Sequence, residues 1–288
     1  MKVSEVAEQQ LRRYLRHGSL QLALGPFVYR VRSSIPEVAR GIQLLYADYP
    51  IDPELAFSDF HVTLDTPRAF KPFPLDQAYA LFEWGLNWCV STYANHYLKI
   101  HAAVVERGGC AAILPAPPGS GKSTLCAGLV SRGWRLLSDE LALVSLTDAR
   151  IVPIPRPVSL KNESLDVIRE FAPDAVFGPI SADTHKGRVG HMKVPEASVG
   201  RHSEPARPAW IIFPQYKAGV PTALTPYSRA RGFMRLAENA FNYNLLGARG
   251  FEALAAVMDS CECFECTYSD LGEAVALFDS LETSRTCS

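Results

Sequence analysis

The first residues, MKVSEVAEQQLRRYLRHG, space apolar positions at helical intervals among charges and predict an amphipathic helix. LQLALGPFVYRVRSS comes next as two β-rich runs around Gly25-Pro26, a hairpin signal, and IPEVARGIQLLYADYPI returns to helical spacing. FSDFHVTLD alternates like a strand. DQAYALFEWGLNWCVSTYANHY is long and apolar at helical intervals, which predicts a buried helix with Asp76 as its N-cap. Residues 1–95 therefore read as a small α+β unit, and without a proline- or glycine-rich linker after it the unit is expected to pack on the remainder of the chain.

From Tyr97 the texture changes. LKIHAAVVER, Gly108-Gly109 and CAAILPA form a second hairpin whose last strand runs into a glycine loop, and a helix starting near Gly121 stops at Ser131-Arg132-Gly133. WRLLSDELALVSL reads as one strand with acids in its middle, and RHSEPARPAWIIFPQY and TALTPYS supply further strands. A helical run from about Gly232 to Met258, the strand CFECTY and a last helix, LGEAVALFDSL, complete an α/β unit over residues 96–288, a sheet with flanking helices.

The 29 basic and 30 acidic side chains leave a formal charge of -1, so nothing global attracts nucleic acid or an anionic membrane surface. The N-terminus does not read as a signal peptide, and no apolar run approaches the 18 or so residues of a membrane span, so a cytoplasmic protein without membrane partners is expected. Seven cysteines is an odd count. Cys89, Cys110 and Cys126 sit in apolar segments, where a reduced thiol behaves as a small hydrophobe, and disulfides are not expected. Cys261, Cys263 and Cys266 lack a fourth metal ligand nearby. Their alternation reads as a half-buried strand, with Cys263 and Glu265 on one face and Phe264 and Cys266 on the other.

The informative stretch is Ala116-Pro117-Pro118-Gly119-Ser120-Gly121-Lys122-Ser123, with Thr124 after it. It matches [A/G]-x-x-x-x-G-K-[S/T] between an apolar strand and a helix. In such a loop backbone N–H groups turn inward at the positive end of the helix and cradle phosphate. Gly119 and Gly121 allow the close approach, Lys122 reaches the β and γ phosphates and Ser123 can ligate Mg²⁺. The two prolines remove donors only near the start of the loop, before those that meet the β phosphate. Asp139-Glu140 come 17 residues after Lys122 (139 minus 122), on the strand where nucleotide-using enzymes keep a metal carboxylate.

Taken together, GSGKSTLCAGLVSRGWRLLSDE resembles the core of the HPr kinase/phosphorylase family: a P-loop, a helix, an RG-x-R-L turn (here Arg132 to Leu136) and an acidic pair. IHAAVVERGG resembles that family's histidine-led strand into the loop. The match covers about Lys99 to Val144, and the chain is similar to stand-alone HPr kinase-related proteins, including relatives that modify peptides. The resemblance implies the family's P-loop sheet, with Asp139 as general base, Glu140 assisting Ser123 at the metal and His101 beside the transferred phosphate. It implies ATP- and Mg²⁺-dependent transfer of the γ phosphate to a hydroxyl, with serine of a peptide or small protein as acceptor. Assembly into a homo-oligomer stays open, because the N-terminal residues differ from the family's usual domain. The family's glycine-rich signature downstream of the acids is absent, which argues against phosphorolysis.

Lesser candidates are Lys161 and Arg156 in RPVSLKN, placed to neutralise phosphate charge, and Lys186 in SADTHKGRVGHMKVP, with His185 and His191 behind it, read as a mobile loop that closes on substrate. His17, His61, His96 and His202 read as surface or packing residues. Two rival functions stand beside peptide phosphorylation: a small-molecule kinase on the same scaffold, and a nucleotide-dependent switch or assembly ATPase.

Overall fold

The computed structural model describes residues 1–52, 57–65 and 74–283. Its first part comprises α1 (Glu8–His17), β1 (Leu20–Leu24), β2 (Phe27–Ser33), α2 (Pro36–Leu45), β3 (Phe60–Leu64) and α3 (Ala78–Tyr93). β1 and β2 are the hairpin expected from Gly25-Pro26, and β3 adds parallel to β2. Asp76 does not cap α3. It lies in a 3₁₀ turn, Leu75–Gln77, so the cap position falls to Gln77, because the chain tightens by one turn before the helix begins.

The second part runs β4 (Tyr97–Arg107), β5 (Cys110–Pro115), α4 (Lys122–Ser131), β6 (Arg135–Ser138), β7 (Leu141–Ser145), β8 (Ile151–Val152), β9 (Val158–Lys161), α5 (Glu163–Phe171), β10 (Ser181–Thr184), β11 (Gly187–Met192) and α6 (Glu196–Gly200). It continues with β12 (Arg207–Tyr216), β13 (Ala223–Pro226), α7 (Arg229–Glu238), α8 (Tyr243–Leu246), α9 (Ala248–Ser260), β14 (Glu262–Tyr268) and α10 (Leu271–Thr283). The molecule is mixed α/β. An eight-stranded sheet has the order β13-β14-β12-β5-β4-β7-β8 with β6 also on β4, and β9, β10 and β11 form a separate three-stranded sheet. β5, β12 and β14 are parallel neighbours, while β4 runs antiparallel to β5, β6 and β7.

The period of two explains why β4 reads as nearly continuous apolar sequence. Leu98, Ile100, Ala102 and Val104 face a core closed by α7 and α9, whereas Ala103 and Val105 face the opposite core with α4 and α10. Each fully buried Leu, Ile or Val contributes roughly 1.5–3 kcal/mol of burial, so both layers are firmly seated. The second core also contains residues from the first 95, including Leu45, Tyr79, Phe82 and Leu86. Tyr49 donates to the Pro155 carbonyl at 3.1 Å and Lys193 pairs with Asp48 at 2.8 Å.

Three sequence expectations are corrected. WRLLSDELALVSL is two strands, because the Leu141 N–H donates to Ser138 Oγ at 3.0 Å and closes a bend over Asp139-Glu140. The helical run from Gly232 to Met258 is three helices, broken at Asn239–Asn242 and at Gly247 (φ +56°). Cys110 is disulfide-bonded, its partner sulfur lying outside the described residues, while Cys89, Cys126, Cys261, Cys263 and Cys266 are free thiols. Cys110 opens β5 beside the Gly108-Gly109 turn and is itself buried, so an apolar setting in sequence did not distinguish a bonded sulfur from a free thiol. No helix among the described residues is long and apolar enough to cross a membrane.

Candidate functional site

β5 ends at Pro115, Ala116 is buried, and the chain turns through Pro117–Gly121 into α4. Gly119 (φ +84°) and Gly121 (φ +86°) hold left-handed conformations that other residues rarely adopt. Gly121 is further constrained from outside the loop, since a Cβ there would collide with the Tyr268 hydroxyl. That hydroxyl donates to the Gly121 carbonyl at 2.8 Å, and the Tyr216 N–H donates to the Ser120 carbonyl at 2.9 Å. Two residues of neighbouring strands thus clamp the loop open. Nothing lies within 4 Å of a Cβ built on Gly119, and Ser120 Oγ is buried without a hydrogen-bond partner.

Lys122 and Ser123 open α4, at its positive end. Thr124 is turned away: its hydroxyl donates to Ser164 Oγ at 2.8 Å, tying α4 to α5. Lys122 Nζ stands 3.1 Å from His101 Nε2. Burial, then the positive charge of Lys122, pushes the His101 pKa down to about 4, so at neutral pH the imidazole is uncharged and accepts from the ammonium. His101 Nε2 is also 3.8 Å from Glu140 Oε2, but a neutral ring makes this a polar contact rather than an ion pair.

The acids sit where β6 bends into β7. Asp139 is buried; its Oδ2 accepts the Ser159 N–H at 3.0 Å and its Oδ1 has no hydrogen-bond partner. Burial, reinforced by Glu140, raises the Asp139 pKa to about 6. Burial also opposes ionisation of Glu140, but Lys122, Lys161 and Arg156 outweigh it and hold that carboxylate below its usual pKa. Two adjacent carboxylates are thereby pushed apart, the pattern of a proton acceptor beside a permanent anion. Lys161 Nζ is 3.7 Å from Glu140 Oε1. Ser159 and Lys161 share one face of β9 while Val158 and Leu160 pack into the core.

Both acids open onto a cavity of about 500 Å³. One wall is α3, which presents Leu81, Trp84 and Trp88 at helical spacing; the other is the β9–β10–β11 sheet with Lys161, His185 and Lys186. The segment read as a mobile loop is therefore a hairpin. Its tip is held by Asn162, whose Oδ1 accepts the Arg188 N–H at 3.0 Å and whose Nδ2 donates to the Lys186 carbonyl at 3.2 Å. Gly187 (φ +78°) is required there, since a Cβ would collide with Asn162 Oδ1. A second cavity, about 290 Å³, lies across the loop on the β12 side and is lined by Pro117, Pro118, Gly119, Ser120, Tyr216 and Arg235. The Arg235 guanidinium stacks 4.0 Å from the Phe213 ring centroid and pairs with Glu265 at 3.0 Å.

Asp139, Glu140, His101, Lys122 and Lys161 are thus brought together, and Lys186 shares the cavity. Arg156 lines the same cavity but is committed elsewhere. It is buried, 3.6 Å from Glu83, and donates to Asn87, so its charge holds α3 against β9's approach rather than standing free for phosphate. Glu83 in turn accepts from Tyr46 at 2.8 Å and Tyr79 at 2.6 Å. Arg135, from the RG-x-R-L turn, is structural too, with its side chain buried 2.6 Å from Glu106. Sequence reasoning missed Trp84, Trp88, Tyr216 and Tyr268. The helical interval of the two tryptophans was a signal; the long-range contacts of the tyrosines left none. No family model matches the chain, and no curated protein matches it.

Proposed function

We propose that this is a P-loop phosphotransferase with the fold its loop and acidic pair resemble, that of the HPr kinase/phosphorylases, moving the γ phosphate of ATP to an alcohol of a peptide or small protein. The observation that carries the proposal is Asp139: a desolvated carboxylate with one unpartnered oxygen, on the wall of a cavity beside a glycine loop and its lysine. A buried polar atom without a partner costs about 1–3 kcal/mol, a cost that a substrate hydroxyl donating to Oδ1 removes.

In this reading the loop amides and Lys122 take the phosphates, Lys122 leaving the neutral His101 to do so. The nucleoside end lies toward the second cavity, where Tyr216 and the prolines offer flat surfaces and Arg235 a guanidinium face. The acceptor enters the larger cavity. Asp139 takes the hydroxyl proton, the freed oxygen bonds to the γ phosphorus, and the bond from that phosphorus to the β-bridging oxygen breaks, releasing ADP. His101 and Lys161 remain beside the transferred group as polar and cationic neighbours.

Among the described residues no group of three or more His, Cys, Asp or Glu is placed to hold a metal ion. Mg²⁺ needs fewer, since it binds through one or two protein oxygens together with substrate phosphates. In this reading Ser123, in the first turn of α4, and the ionised Glu140 would supply those oxygens. When bound, the ion neutralises charge on the β and γ phosphates.

The test is transfer of radiolabel from the γ position of ATP to peptide acceptors by the parent and Asp139→Asn. The variant is expected to bind ATP and not to transfer. Equal transfer by both sinks the assignment of the base, and nucleotide binding that survives Lys122→Ala and Gly121→Val unchanged sinks the loop.

A further inference from the structure

Trp84 and Trp88 are 56% and 46% exposed, although they lie on an apolar helix in a protein with ample core. They are one helical turn apart and share the stripe with Leu81 that forms the apolar wall of the large cavity. The apolar surface continues past the mouth. Trp88 packs edge-on against Tyr93 at 5.6 Å, while Asn242 donates to the Tyr97 carbonyl and to Asn95, beside half-exposed Phe241, which itself lines the cavity. A contiguous exposed aromatic surface of this kind marks a recognition site rather than random exposure.

Resting on the function proposed above, we infer that the acceptor is a peptide whose serine or threonine carries a large apolar neighbour, seated on Trp84 and Trp88 while the hydroxyl meets Asp139. The cavity, at about 500 Å³, far exceeds a hydroxymethyl group and is in the range that encloses a whole small ligand. The opposite wall offers Lys161, His185 and Lys186, so an apolar side chain has one wall to occupy. Extension of the aromatic surface from the cavity-lining Trp88 to Tyr93, outside the cavity, fits a chain that enters from solvent better than a compact metabolite. No covalent step is added; the aromatic wall sets which hydroxyl arrives.

Short fluorescein-labelled peptides of the form Gly-Ala-X-Ser-X-Ala-Gly, with X as Trp, Leu, Asp or Lys, test this by anisotropy in the presence of a non-hydrolysable ATP analogue. Peptides with Trp or Leu are expected to bind about tenfold tighter than those with Asp or Lys. The preference is expected to vanish in Trp84→Ala/Trp88→Ala and to return in Trp84→Phe/Trp88→Phe; circular dichroism checks that each variant is folded. Binding blind to X, a preference that survives both alanines, or no binding of any peptide overturns the inference. Asp139→Asn separates it from the underlying reaction. Selective binding by parent and variant with phosphate transfer by neither removes the kinase reading and keeps the aromatic subsite. Transfer to all four peptides at equal efficiency does the reverse.

Discussion

Two buried acids, Glu106 on β4 beside the start of β6 and Asp139 just past its end, stand in opposite conditions. Glu106 meets Arg135 at 2.6 Å and Arg201 at 3.4 Å, and its second oxygen accepts the Gly109 N–H at 2.6 Å. Asp139 has one backbone donor and an oxygen with none. Desolvating a carboxylate is costly in both places. At Glu106 two guanidiniums offset the cost, although Oε2, like Asp139 Oδ1, makes no hydrogen bond of good geometry; close pairing with opposite charge is what a structural charge looks like. At Asp139 part of it is left standing, and a residue kept in that state is a candidate for chemistry.

The largest expected effect is on turnover. Asp139→Asn should lower phosphate transfer by about 10²- to 10⁴-fold, the range for removing a general base, as read by steady-state kinetics on any accepted peptide. The same variant should be more stable than the parent, by about 1–3 kcal/mol at pH 7.5. The sign comes from the raised pKa: the folded protein holds the Asp139 proton more tightly than the unfolded chain, a gain present below pH 4 and lost as pH rises through about 6. An amide is neutral throughout, so the thermal-melt difference should be widest above pH 6 and close near pH 4. A parent that outlasts the variant at pH 7.5 would erase the contrast between the two acids.

At the other acid Glu106→Gln should cost about 3–5 kcal/mol, the usual result of stripping one partner from a buried pair, measured by urea denaturation. Its turnover per folded molecule should be unchanged. Next in size is the pH profile of transfer, which should fall below about pH 6 as Asp139 takes up a proton, with the ring of His101 neutral across that limb because its pKa lies near 4. Smallest is Asp166→Asn at the exposed Arg188–Asp166 pair, where no shift in melting temperature beyond scatter is expected.

Local chemistry was legible in the sequence to the extent that it was local. Gly119, Gly121, Lys122 and the apolar strand before them announce a phosphate-type loop because backbone dihedrals and a helix start are short-range requirements. The hairpins at Gly25-Pro26 and Gly108-Gly109 were legible for the same reason. The break at Asp139-Glu140 was hidden, because the serine side chain that closes it resembles ordinary strand sequence. Arg156 reads as a free cation until Glu83, 73 positions earlier (156 minus 83), is folded against it. α3 reads as wholly buried because its apolar residues circle the helix; only the placement of the β9–β11 sheet reveals which stripe stays open. The clamp from Tyr268 to Gly121 spans 147 residues, and no local pattern encodes such a reach.

Lys99 is fully buried, with Nζ 2.7 Å from the Ser91 carbonyl, 3.4 Å from that of Val90 and 2.9 Å from Asn95 Oδ1, at the C-terminal end of α3. It stands two positions from His101 on the same face of β4. One ammonium therefore moors the aromatic wall to the strand that bears the histidine. On the proposed function, a substitution that loosened Lys99 would disturb the choice of acceptor and the reaction together.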